Sequence, residues 1–226
     1  MNLVDDEIRQ GGPNSRPTSG EINLCGWRIA TTAAFLLFLA ALTALLADRA
    51  LALAMLQLPA RLRSVASFVS LATHPAFVLL FLLMPILISR TSLARVARCW
   101  TPKGMVGESW TLFSNAVLAL LACLALHLTT GRAAPGAVFD WNPIHFEPFS
   151  LHLMSSTLPS AHAAVTALLA CSMAMRYPRL ELPLLTAAVL TCLAPPTACL
   201  NWTSDIIVGW AIGSTIALLS RWRNSP

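Results

Sequence analysis

Ser160 and His162 stand two residues apart where one apolar stretch opens, and Asn201 and Asp205 stand four apart where another opens. A helix N-terminus offers unpaired backbone N–H groups and the positive end of its dipole, which together suit a phosphate. Pro159 suits a helix start, and Ser160 is a good cap that also brings a hydroxyl. His162, one turn in, can hold a proton near neutral pH and pass it to a leaving oxygen. Asp205 can cap the last helix or orient a neighbouring side chain. His127, Arg132 and the loop residues His145, Glu147 and His152 are further candidates for the same chemistry. Each has a plainer reading: Ser160 and Asp205 as ordinary caps, His145 and His152 as solvated loop histidines, and His74 as a packed or interfacial residue.

The elements that would position these residues are membrane spans. Apolar residues make up 56% of the 226-residue chain and charged residues 11%. Mean hydropathy is +0.67. A soluble domain carries about 25% charged residues, so the composition is that of a membrane protein. Stretches near the ~20 residues that a bilayer requires occur at Ile29–Ala47, Val65–Ser89, Trp110–Leu128, Ala163–Met175 with the turn before it, and Leu182–Leu200. A sixth, Ile206–Ser220, reaches full length if Ser204 and Asp205 begin its helix. The expected architecture is therefore an all-α polytopic bundle of six transmembrane helices over residues 28–226. It follows a cytoplasmic, poorly ordered tail over 1–27, which lacks the order of a secretory signal peptide. Arg49–Arg63 is too mixed to span and is expected to lie along the interface or turn there. Pro195-Pro196 should kink or unwind the outer end of the fifth span.

Basic residues favour the cytoplasmic side. Alternate loops hold eleven of the fifteen Lys and Arg residues, including Arg90, Arg95, Arg98 and Lys103. Both termini are thus expected in the cytoplasm. That places Ser160, His162, Asn201, Asp205, His127 and the 129–158 loop together on the outer face. The +5 charge reads as this asymmetry beside anionic lipid heads. Nucleic acid is excluded as a partner, because no basic face is interleaved with aromatics. The six cysteines form no CxxC pair, the histidines share no helical face, and neither a disulfide framework nor a metal site is supported. The tryptophans cluster at span ends as an aromatic belt would.

Pro159-Ser160-Ala161-His162 and Asn201 to Asp205 resemble two of the three signature segments of the type 2 phosphatidic acid phosphatase family, membrane enzymes that remove phosphate from lipids. The family's pattern is Lys, six residues, Arg-Pro; then Pro-Ser-Gly-His; then Ser-Arg, five residues, His, three residues, Asp. In this chain the first becomes His127, Ala134 and Pro135, with Arg132 nearby. In the third, Ala194 and Pro195 replace Ser-Arg, Asn201 replaces the histidine, and Asp205 matches. The resemblance implies that Ser160 and His127 bind phosphate, with Arg132 partly standing in for the arginine lost at Ala134. It implies that His162 protonates the leaving group, and that Asp205 adjoins a position whose nucleophile is absent. No cofactor is implied. No histidine follows His162 and no Lys or Arg lies between Arg179 and Arg221, so sliding the alignment recovers neither the nucleophile nor its arginine.

An amide nitrogen has its lone pair delocalised and cannot form a phosphohistidine. The preferred reading is a non-catalytic or impaired family member that binds a lipid phosphate headgroup at the outer face of a bacterial inner membrane. Its partners would be membrane lipids. The alternative is an active lipid phosphatase or headgroup transferase that drafts His145, His152 or Glu147 from the outer loop. That loop's aromatic and polar residues suit either a lid over a headgroup or an ordinary interfacial loop. A transporter finds little support, because the span interiors contain almost no ionisable residues.

Overall fold

A computed structural model describes residues 19–90, 105–137, 141–149 and 156–223. The described residues form helices: α1 (Ser19–Leu46), α2 (Asp48–Leu56), α3 (Ala60–Ala72), α4 (Pro75–Arg90), α5 (Met105–Thr130), α6 (Ala161–Arg176), α7 (Glu181–Cys192), α8 (Ala194–Thr197) and α9 (Thr203–Arg223), with short 3₁₀ turns at Pro135–Ala137 and Pro178–Leu180. Two isolated β-bridges, Arg132 with Phe146 and Ala133 with Ser156, tie down the loop after α5.

Among the described residues, five helical segments are long and apolar enough to cross a membrane: 26–46, 60–90, 106–130, 178–197 and 203–223. The shorter α6 runs among them and brings the bundle to six. Large apolar side chains such as Phe35, Phe38, Phe81 and Leu190 are exposed on the outside of this bundle, where lipid tails would cover them. Two features differ from the sequence reading. α1 begins at Ser19, so the last part of the expected tail is helical, while residues 1–18 lie outside the described part. The second span is broken at Thr73-His74, because a residue before proline is pushed away from the helical region, and α4 restarts at Pro75. Arg49–Arg63, expected to lie along the interface or turn there, forms most of α2, a turn after Leu56 and the first turn of α3. As Pro195-Pro196 implies, the fifth span ends at Cys192 and continues only as the four-residue α8.

Lipid tails give helices no hydrophobic reason to associate, so close approach through small residues must hold them. The centre obeys this rule. Ala116, Ala119, Ala163, Ala164, Ala167, Leu168 and Ala217 are buried there. Gly209 and Gly213 on α9 lie one turn apart against α6. A Cβ on Gly213 would come within 2.9 Å of the Leu168 nitrogen, and closer still to the Ala164 carbonyl oxygen. A Cβ on Gly209 would collide with the Ser160 carbonyl. Asn115 Nδ2 donates to Ser220 Oγ at 2.8 Å, joining α5 to α9. Arg176 pairs with Glu108 to join the neighbouring ends of α6 and α5.

Candidate functional site

Ser160 caps α6, its Oγ accepting the Ala163 N–H at 3.4 Å. Its own N–H donates to the Asp205 carbonyl at 3.0 Å, so the first turns of α6 and α9 are tied together. Beside them lies a cavity of about 230 Å³ lined by residues that include His74, His127, Ser160, His162 and Asn201. Four residues expected at the site from sequence therefore share one wall, and His74 joins them from the break between α3 and α4.

The polar groups of this cavity are oriented by the surrounding backbone. The Thr73 hydroxyl donates to the Val69 carbonyl at 2.6 Å. Its oxygen also lies 3.3 Å from His162 Nε2. His74 Nδ1 accepts the Ala76 N–H at 3.3 Å, capping α4 and leaving Nε2 as its N–H. Asn201 Nδ2 donates to the Thr157 carbonyl at 3.1 Å. The cavity wall combines imidazole, hydroxyl and amide groups, and no Lys or Arg lines it among the described residues.

Arg132 is elsewhere. α5 ends at Thr130, and Gly131 takes the left-handed conformation (φ 57) that such a terminus favours. The turn directs Arg132 into the protein, where it is 2% exposed. Its Nε donates to the Pro143 carbonyl at 2.9 Å. One terminal nitrogen reaches Ser204 Oγ at 2.6 Å and Asp205 Oδ1 at 2.5 Å. The other reaches Asp48 Oδ2 at 2.7 Å. The Trp202 ring lies 5.3 Å from the guanidinium carbon. The sequence reading of Arg132 as a phosphate ligand thus meets a guanidinium already occupied by two buried carboxylates.

Asp205 is equally committed. Its Oδ2 accepts the Trp202 N–H at 3.1 Å, the reciprocal half of a capping box, and its other oxygen holds Arg132. Asp48, from the start of α2, accepts the Ser204 N–H at 3.0 Å and its hydroxyl as well. It caps α9 from another helix. Trp202 was expected in an interfacial belt, yet it is buried and donates Nε1–H to the Ala133 carbonyl at 2.8 Å. In the loop after α5 His145 and Glu147 pair at 3.2 Å, but both are about half exposed and neither lines the cavity. His152 lies outside the described residues. Asp48, Trp202 and His74 are the residues that sequence reasoning missed. The available signals were an acid between two apolar stretches and a histidine before a proline.

The bundle of apolar helices is that of an integral membrane protein, with Ser160, His162 and Asn201 gathered beside the first turns of α6 and α9. Residues 108–225, just over half of the chain, match the PAP2 superfamily, and the chain belongs to that family. It is 28% identical over 109 residues to a lipid A 1-phosphatase of Rhizobium etli, covering 48% of this chain and 47% of that protein. The lipid A 1-phosphatase of Rhizobium johnstonii matches equally, also at 28% over 109 residues, with 45% of its length covered. The chain spans about half the length of the curated relatives it matches. Among solved structures it is similar to a transmembrane PAP2 type phosphatidylglycerolphosphate phosphatase from Bacillus subtilis. The TM-score is 0.55 at 15% identity, over 88% of this chain and 96% of that one. At that identity the likeness establishes the fold.

Proposed function

We propose that this protein holds the phosphate of a membrane lipid headgroup in the cavity between α5, α6 and α8, and does not carry out phosphohistidine chemistry. The observation that carries this reading is Asn201. It stands on the cavity wall where the family pattern has its nucleophilic histidine, with its amide engaged by Thr157. Asp205, which in that pattern orients the nucleophile, is held instead by Arg132 and the Trp202 N–H. Ser160, His127 and His162 remain as donors to a phosphate, and His162 as a potential acid without a nucleophile to serve. The excess of Lys and Arg on the opposite loops supports an outer-face location with cytoplasmic termini. The names of the Rhizobium relatives support a phosphorylated lipid as the ligand class.

The test is phosphate release and ligand binding by purified protein, using phosphatidic acid, phosphatidylglycerolphosphate and lipid A. Binding without release above background, weakened by His162→Ala, is the expected result. Phosphate release that His162→Ala abolishes would overturn it. One observation favours a second reading, an active phosphatase with rearranged residues: the His145–Glu147 pair in the outer loop. Turnover that His145→Ala removes would establish that reading.

A further inference from the structure

A phosphate monoester brings one to two negative charges, yet the cavity wall offers only histidines as potential cations among the described residues. Arg132 cannot serve while it binds Asp48 and Asp205. Arg63 is differently placed. It lies two helical turns before Ser70, a cavity-lining residue, so both occupy one face of α3. The buried Ala66 lies between them on that face. α3 packs against α8, the short helix that carries Pro195 on the cavity wall. The Arg63 guanidinium acts electrostatically on the Cys199 thiol, two residues before Asn201.

Arg63 is half-buried, and its Nε is buried without any hydrogen-bond partner, the one such side-chain nitrogen or oxygen among the described residues. Native structures rarely leave a buried donor unsatisfied, least of all on a charged group. What it lacks is an acceptor, and an anionic oxygen satisfies both the N–H and the charge. The planar guanidinium fork also matches a phosphate better than an ammonium would.

We infer that Arg63 is the cation that binds the ligand's phosphate, reaching the cavity from α3. It would supply a guanidinium of the kind that the family pattern carries at positions 134 and 195, where this chain has Ala134 and Pro195. The inference rests on the reading of the cavity as a phosphate site. It adds a binding residue that lies outside all three motif segments.

The experiment measures binding of inorganic phosphate to the full chain in an uncharged detergent, beside vesicles containing phosphatidic acid. The soluble ion separates a cavity residue from one that merely touches headgroups at the membrane surface. Arg63→Gln is expected to weaken phosphate binding about 10- to 100-fold, as loss of a charge-assisted hydrogen bond does. Arg63→Lys should recover part of it, and the thermal unfolding of both variants should match wild type. If wild type binds phosphate, His162→Ala weakens it and Arg63→Gln does not, the Arg63 inference fails and the cavity stands. Loss of vesicle binding alone in Arg63→Gln, with inorganic phosphate unaffected, also overturns it. If wild type binds no phosphate, the cavity reading and the inference fall together.

Discussion

Replacing Arg132 by Met keeps the length of the side chain and removes its charge. In the native protein its guanidinium makes four hydrogen bonds, at 2.9, 2.6, 2.5 and 2.7 Å, to Pro143, Ser204, Asp205 and Asp48. Both carboxylates are fully buried. Removing one member of a buried ionic group leaves the others uncompensated and costs about 3–5 kcal/mol. At about 2–4 °C per kcal/mol for a chain of this size, the melting temperature should fall by roughly 10 °C. Cys123 and Cys192 are 1% and 2% exposed, so a thiol-reactive dye reports unfolding in detergent directly. Adding Asp48→Asn to Arg132→Met removes one of the stranded charges. The double variant should therefore be more stable than the two single losses combined, with a coupling above about 1 kcal/mol. A melting temperature for Arg132→Met within about 2 °C of wild type, or strictly additive losses, would refute the idea that this cluster holds α2, the loop after α5 and α9 together.

Gly213→Ala should lower stability by about 1–3 kcal/mol or more in the same assay, because its Cβ meets the backbone of α6 at Ala164 and Leu168. A neutral result would mean that α6 and α9 are not in van der Waals contact at that level. Asn201→His alone should release no phosphate from phosphatidic acid, because Asp205 is occupied by Arg132 and Trp202; turnover in this single variant would show that the new ring needs no such partner.

The spans and the helix starts at Ser160 and Thr203 were legible because each depends on local sequence: apolar runs set the first, and Pro159, Ser160 and Asp205 set the second. The break at His74 was also written locally, in the proline that follows, but a histidine near a span end has too many ordinary roles for its cavity position to be read. Asp48 was beyond reach for a different reason. Its partner Arg132 lies 84 residues away, and an acid near a membrane interface satisfies itself equally well with water, a headgroup or a guanidinium. The same ambiguity explains Arg132. A guanidinium that binds phosphate and one that binds two carboxylates look identical in sequence, because both need only a fork of donors facing oxygen anions. Geometry separates them: Arg132 has four bonds to its own chain, whereas Arg63 has a buried N–H with no partner. Asp205 completes the argument. It matches the family pattern letter for letter, yet in this chain its oxygens hold a helix cap and an arginine. A matched letter therefore establishes the fold that places Asp205 there, while the bonds it makes decide which chemistry remains open to it.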